Sequence, residues 1–127
     1  MPPTLRGRRV YFEVASVPYA AGEASSIGEL LARMGLHNIV PASMGPFPQL
    51  SPEFILKSRP EVVMGSSQAV GEMPGRPGWR DLPALRGGLV CAFGAQDLDA
   101  LMRAGPRLAE AAEALAACLS QAAGMKP

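Results

Sequence analysis

Residues 46–64 carry the strongest structural signal in this chain, and they read PFPQLSPEFILKSRPEVVM. Prolines on either side of Phe47 hold the backbone extended around its ring. Ser51 is a favourable N-cap, and Pro52 suits the first position of a helix. Pro60 stops that helix, and an apolar Val-Val-Met run follows it. The stretch therefore predicts a loop, a short helix and a buried strand.

The same stretch places a carboxylate close to the aromatic ring. Glu53 falls in the first turn of the predicted helix, where the helix dipole favours an anion. Only the start of the helix separates Glu53 from Phe47. We expect the rest of the chain to support or flank this edge of a strand–helix layer.

Length and composition indicate one globular domain. The chain has 127 residues, of which 48% are apolar and 18% charged, and such a chain can bury a sizeable core. A net charge of +1 gives no electrostatic case for nucleic acid or an anionic membrane. Residues 1–7 are expected to be a linker remnant and residues 8–127 a single α/β unit. No secretory leader is recognisable, so an exported protein would have lost its leader here.

Cys91 and Cys118 are expected to be buried free thiols. A disulfide would require their Cα atoms to lie within about 7 Å, which sequence cannot show. A zinc site is not expected, because His37 is the sole histidine and no CxxC spacing exists.

The remaining elements alternate between strand and helix signals. Residues 8–14 alternate in polarity and predict a strand. Ser26 and Glu29 form a capping box that opens an amphipathic helix, and Gly35 ends it. Further predictions concern an irregular segment at 66–78, a helical turn or two from 79 anchored by a tryptophan, a strand at 89–93, a short helix at 96–102 and a last helix opening at 105–106.

The order β-α-β-α-β-(α)-β-α predicts a three-layer α/β/α lobe with a mostly parallel, Rossmann-like central sheet. Ligands of such sheets bind beyond the carboxyl ends of the strands. The loops expected there are residues 15–25, 43–49, 66–75 and 94–105.

The candidate site is a pair of loop aromatics. No nucleophile, phosphate-loop or metalloprotease motif occurs in the sequence, which argues against an enzyme. Tyr19 and Phe47 lie on different loops at the same predicted edge, and flat rings suit a large, flat, partly apolar ligand. The alternative, that each ring packs over its own loop, stays open.

Six motifs in order resemble the periplasmic substrate-binding proteins of ABC importers for cobalamin, haem and iron–siderophores. They are RVYFEVASVPYAAG (9–22), SIGELLARMGLHNIV (26–40), PFPQLSPE (46–53), RPEVVM (59–64), WxxLPALRxG (79–88) and GPRL (105–108). The resemblance runs over about residues 8–119. It implies two α/β lobes joined by a long helix, with ligand held between them, and this chain resembles the second, C-terminal lobe only.

The resemblance also implies roles for particular residues. It places ligand-facing aromatics at Tyr19 and Phe47, and at Glu53 the carboxylate that docks onto arginines of the permease. We add Asp97 and Arg103 as ligand-binding candidates, because they lie on a loop expected at the same edge. The implied partners are an ABC importer permease and a metal chelate, in the periplasm, with no cofactor or bound metal of the protein's own.

Three ligands remain open, with cobalamin or a related corrinoid ranked first. Haem would require an axial ligand, for which Tyr19 is a better candidate than His37. An iron–siderophore would require cleft arginines, and the candidates are Arg76, Arg103 and Arg107.

Two other function classes also remain, a stand-alone protein-interaction module and a flavodoxin-like enzyme without its phosphate loop. Exposed aromatic loops would further predict a weak homodimer of the lobe.

Overall fold

The computed structural model describes residues 7–15, 19–94, 113 and 115–119. Its sheet has five strands: β1 (Arg9–Ala15), β2 (Tyr19–Ala20), β3 (His37–Asn38), β4 (Val62–Ser66) and β5 (Leu89–Phe93). Strand β1 pairs in parallel with β3 and β4, and β4 pairs in parallel with β5. Strand β2 is the antiparallel exception and pairs with the end of β1. The prediction of a mostly parallel sheet is therefore confirmed.

Helices connect the parallel strands and cover the sheet. They are α1 (Ser26–Arg33), α2 (Pro52–Ser58) and α3 (Ser67–Glu72). Short 3-10 turns lie at Ala42–Met44, Met73–Gly75 and Trp79–Asp81. Residues 115–119 are also helical. Within the described part of the chain, no helix is both long and apolar enough to cross a membrane.

Each face of the sheet carries its own apolar core, because successive side chains of a strand point to opposite faces. On one face, Phe12 and Met64 pack with α1 and with the helical residues 115–119. On the other face, Tyr11 and Val63 pack with α2 and with the segment around Trp79. The two cores confirm the three-layer α/β/α arrangement.

Helix α2 forms as its sequence predicts. The Ser51 hydroxyl accepts a hydrogen bond from the Phe54 amide at 3.2 Å, and Pro52 occupies the first turn. The helix ends at Ser58, its C-cap Arg59 adopts the left-handed conformation with φ 48°, and Pro60 follows.

The N-cap of α1 is Ser25, so the prediction of a capping box at Ser26 is wrong. The Ser25 hydroxyl accepts from the Gly28 amide at 2.9 Å, while Glu29 instead pairs with Arg33 at 2.9 Å. Gly28 permits the loop to approach the helix, because any Cβ at this position would collide with the carbonyl oxygen of Gly22. The Ser25 hydroxyl and amide both donate to that carbonyl, at 2.7 and 3.0 Å, which holds Ser25 at the N-cap position.

The prediction of an irregular segment at 66–78 is wrong for its first half. Ser66 ends β4 and caps α3, its hydroxyl accepting from the Ala69 amide at 3.0 Å. Ala69 and Met73 are buried, so packing stabilises a short helix despite Gly71. The proline- and glycine-rich composition determines the structure only from Met73 onward.

Cys91 and Cys118 form a disulfide, which overturns the expectation of two free thiols. Cys91 lies in β5 on the sheet face against which residues 115–119 pack, and the two Cα atoms are 6.1 Å apart. The bridge spans a sequence separation of 27 residues, and a bridge of this kind typically contributes about 2–4 kcal/mol. Sequence alone could not show that the helix and strand meet at these residues.

Candidate functional site

The candidate site lies at the carboxyl edge of the sheet, where β1 ends at Ala15 and β4 at Ser66. Tyr19 pairs in register with Ala15 and forms an antiparallel bridge with Gln49. The Ala20 amide donates to the Pro48 carbonyl oxygen at 3.0 Å. These main-chain bonds join the Tyr19 strand to the Phe47 loop at one edge.

The two aromatic side chains are partly open to solvent. Tyr19 is 38% exposed and Phe47 is 40% exposed, and with Met44 at 41% they form the exposed large hydrophobic residues of the described chain. All three lie on segments of the carboxyl edge. The structure thus places the two aromatic residues that the sequence singled out on joined segments of one edge, each partly exposed.

Glu53 lies in the first turn of α2, which begins at this edge, and its side chain is exposed. No hydrogen bond or ion pair joins its carboxylate to any other described residue. Its place in the first turn and its exposure are as the sequence predicts, and its role in docking stays a prediction.

A buried polar cluster below the edge was not predicted. Glu13 of β1 is 1% exposed, and its carboxylate accepts two hydrogen bonds from Arg76, at 2.7 and 2.9 Å. The Tyr11 hydroxyl donates to the same carboxylate at 2.8 Å. The Arg76 guanidinium also lies 4.7 Å above the Trp79 ring. The alternation of β1 places Tyr11 and Glu13 on one face, which was a usable signal, but no pattern pointed to Arg76.

Burial and charge alter the acid–base properties of this cluster. Burial, followed by the charge of Glu13, raises the pKa of Tyr11 well above its usual value near 10, so the phenol stays protonated. The hydrogen bonds to Glu13 raise the pKa of Arg76, which stays cationic. The cluster is therefore an ion pair with a neutral phenol donating to it.

This arrangement corrects one sequence-based expectation. Arg76 is not a free cleft arginine for an anionic chelate, because its two terminal nitrogens are held by Glu13. Asp97, Arg103 and Arg107 lie outside the described residues. His37 opens β3 at the opposite edge of the sheet and is exposed there, away from the aromatic pair.

A cavity of about 290 Å³ lies at the same edge, between the end of β1 and α3. The described residues that line it are Val14, Ala15, Ser66, Gln68, Ala69 and Glu72. Among the described residues, no group of three or more His, Cys, Asp or Glu side chains could hold a metal ion. The site is thus a partly apolar, partly polar edge suited to binding.

The sequence matches a known protein family. Residues 6–96 match the family described as periplasmic binding protein, and the chain belongs to that family. No match was found among curated proteins.

Solved structures of the same kind share the fold. A periplasmic vitamin B12-binding protein, BtuF of Vibrio cholerae, is 27% identical with a TM-score of 0.75, over 94% of this chain and 46% of its own. A periplasmic heme-binding protein, RhuT from Roseiflexus sp. RS-1, is 27% identical with a TM-score of 0.68, over 93% and 48%. A possible iron-binding periplasmic solute-binding protein from Staphylococcus epidermidis ATCC 12228 is 20% identical with a TM-score of 0.76, over 93% and 47%. The chain therefore spans about half the length of the solved structures that it matches.

Proposed function

We propose that this chain is one ligand-binding lobe, the second, of a two-lobed extracytoplasmic binding protein that delivers a metal chelate to an ABC importer. The observation that carries the proposal is that two partly exposed aromatic residues, Tyr19 and Phe47, lie on joined segments of the carboxyl edge. Family membership and the half-length match to solved periplasmic binding proteins support it.

We place cobalamin or a related corrinoid first among the ligands, ahead of haem and iron–siderophores. A corrin is large and partly flat, and two rings on neighbouring loops can contact its face at low entropic cost. The charge of Arg76 is already balanced by Glu13, which weakens its case as a cleft cation for an anionic chelate. Solved relatives that bind vitamin B12 and heme both share this fold.

An extracytoplasmic location agrees with the disulfide between Cys91 and Cys118, because disulfides persist mainly outside the reducing cytosol. In the same proposal Glu53 is the docking carboxylate for a permease arginine, since it is exposed at the rim of the lobe. Asp97 and Arg103 remain proposed ligand contacts.

The test is a titration of the 127-residue chain with cyanocobalamin and with haemin, followed by amide-resolved NMR and by calorimetry. Weak binding that perturbs residues 19–20 and 47–49 is the expected result, because half of the cleft contacts are missing and every 1.4 kcal/mol lost is tenfold in affinity. Tyr19→Ala and Phe47→Ala should each abolish these shifts.

Met44→Ala is the matched control, because Met44 is equally exposed on the same edge but is not part of the proposed ring pair. Nanomolar binding by the chain alone would contradict the half-cleft interpretation. Absence of any shift with both chelates would favour a protein-interaction module instead.

A further inference from the structure

We propose that the amino edge of the sheet is a docking surface for a membrane that carries anionic phospholipids. The amino edge is the end of the lobe at which the parallel strands β1, β4 and β5 begin, opposite the edge with Tyr19 and Phe47. A lobe held there presents its carboxyl edge away from the membrane, toward solution. This goes beyond the proposed function, because it assigns a partner to the end of the lobe opposite the proposed ligand contacts.

Two chain segments bring three arginines together at the amino edge. Arg8 and Arg9, at the start of β1, both pair with Glu61, at nitrogen–oxygen distances of 3.2 and 3.5 Å. Arg59 is joined to them through its main chain, since its carbonyl oxygen accepts a hydrogen bond from Arg9 Nε at 3.0 Å. One carboxylate therefore lies among three guanidinium groups.

The turn before β5 and the end of α2 add two more cations. Arg86 is exposed on this turn, which is held against the same cluster because the Leu89 amide donates to the Glu61 carbonyl oxygen at 3.2 Å. Lys57 lies in the last turn of α2, which ends at this edge. Arg59, Arg86 and Lys57 are exposed and form no ion pair with any other described residue. Neighbouring charges do not offset the positive excess, because they occur as opposite pairs: Glu29 with Arg33, and Arg80 beside Asp81.

The opposite edge has an excess of negative charge among the described residues. Glu23, Glu53 and Glu72 are exposed on segments at the carboxyl edge, while the charge of buried Glu13 is balanced by Arg76. The charges are thus separated along the strands, which the net charge of +1 alone did not reveal. An anionic surface attracts the amino edge and repels the carboxyl edge, so the lobe binds it in one orientation.

Anionic phospholipid headgroups suit the exposed cations of this edge. A guanidinium donates paired N–H bonds to phosphate oxygens and keeps its charge at any physiological pH. The disulfide between Cys91 and Cys118 indicates an oxidising compartment, which disfavours nucleic acid as the polyanion. A second copy of the lobe is also less suitable. Its acidic edge on this basic edge would be a head-to-tail contact, which builds rings or open chains rather than a closed pair.

The experiment measures co-sedimentation of the 127-residue chain with vesicles. One set contains phosphatidylcholine alone, and the other contains about one-third phosphatidylglycerol as the anionic lipid. We expect binding to the anionic vesicles only, and salt should weaken it because exposed charges are screened. A basic residue near an anionic membrane contributes about fivefold in affinity. Arg59→Gln and Arg86→Gln should therefore each weaken binding about fivefold, and the double variant about twentyfold.

Ser43→Asp is the matched control. It lowers the net charge by one, as each arginine variant does, but on an exposed turn at the carboxyl edge. It should leave vesicle binding nearly unchanged. Orientation is measured by NMR in bicelles of the anionic composition with a spin-labelled phosphatidylglycerol. The label should broaden the amide signals of residues 57–61 and 86–88 and leave those of residues 42–49 sharp.

Four results would overturn the proposal. The first is no binding to the anionic vesicles at low salt. The second is an equal loss in Ser43→Asp, which would attribute binding to net charge. The third is broadening confined to residues 42–49, which would show that the aromatic edge inserts instead. The fourth is salt-sensitive self-association without lipid that the arginine variants lose, which would assign the edge to a second copy of the chain. No transported ligand is present in these measurements, so a negative result leaves the ligand titration of the proposed function unaffected.

Discussion

Two glutamate–arginine clusters lie at opposite ends of the same sheet, and they differ in burial. At the carboxyl edge, the side chains of Glu13 and Arg76 are 0% and 19% exposed. At the amino edge, Glu61 pairs with Arg8 and Arg9, whose side chains are 41% and 42% exposed. The same residue types therefore serve in two different dielectric environments.

The difference in burial indicates at which end of the sheet the side-chain geometry is more constrained. The amino-edge cluster joins the end of α2 to β1, since Arg9 Nε donates to the carbonyl oxygens of Ser58 and Arg59 at 3.1 and 3.0 Å. If its hydrogen bonds break, water can hydrate most of the amino-edge cluster. Water has little access to the carboxyl-edge cluster, where Tyr11 and Trp79 contact the ion pair. The buried Glu13–Arg76 cluster therefore supports the edge on which ligand is proposed to bind.

Of the substitutions considered, Glu13→Gln should reduce the free energy of unfolding most. It leaves Arg76 as a largely buried cation without its carboxylate, and removal of one partner of a buried pair typically costs about 3–5 kcal/mol. We expect a loss of about 3 kcal/mol, at the lower end, because Arg76 retains 19% exposure. Urea unfolding of the variant measures this directly. A loss below about 1 kcal/mol would mean that the pair behaves as a surface pair.

Tyr11→Phe tests the buried cluster through the pH dependence of stability. The substitution removes a hydrogen bond to a charged group and should cost about 2 kcal/mol at neutral pH. In the parent protein the pKa of Tyr11 is raised by burial and then by Glu13, so its contribution is intact below the unfolded value near 10. It is lost as pH rises above that value, because the unfolded phenol releases its proton first.

The measurement is the free energy of unfolding between pH 8 and 11 for both proteins. The parent should lose stability above pH 10 at up to about 1.4 kcal/mol per pH unit from this group, and Tyr11→Phe should lack that component. Identical slopes in the two proteins would show that Tyr11 ionises in the folded state as freely as in the unfolded state.

Glu61→Gln tests the exposed cluster. Exposed ion pairs are typically worth up to about 1 kcal/mol, and we expect a loss of about 1 kcal/mol here because Glu61 also accepts from the Arg9 amide at 3.2 Å. Moderate salt should reduce the difference between the parent and the variant, since solvent-exposed charges are screened. A loss as large as that of Glu13→Gln would remove the distinction between the two edges.

The sequence predicted most of the framework because its signals were local. Ser51 and Pro52 define the start of α2 through contacts within one turn, and the strands followed from apolar runs bounded by turns. The placement of Tyr19 and Phe47 at one edge was predictable because loops after parallel strands share an edge of the sheet. Their role in ligand binding stays a prediction.

What the sequence did not predict depends on contacts distant in the chain. Glu13 and Arg76 are 63 residues apart, and Cys91 and Cys118 are 27 residues apart. Neither pairing leaves a spacing pattern, because each is created by the packing of elements across the sheet. The shift of the α1 cap to Ser25 has a different, local origin, in the contacts that Ser25 and Gly28 make with the Gly22 carbonyl.

The smallest expected effect on stability belongs to Glu53→Gln. Glu53 is exposed in the first turn of α2, so the change weakens only the interaction of the carboxylate with the helix dipole, and we expect a loss of about 0.5 kcal/mol. Its effect on function should be larger. In the proposed two-lobed protein, an arginine of the permease would form a bidentate pair with this carboxylate, and such a pair fixes orientation as well as adding energy. Ligand affinity should stay unchanged, because Glu53 does not line the described cavity, while binding to the transporter should weaken.

Glu23→Gln, which removes another exposed carboxylate from the same edge, is the control. Normal transporter binding by the Glu53 variant would reduce Glu53 to a helix-dipole residue, and an equal loss in both variants would assign docking to the overall charge of the edge.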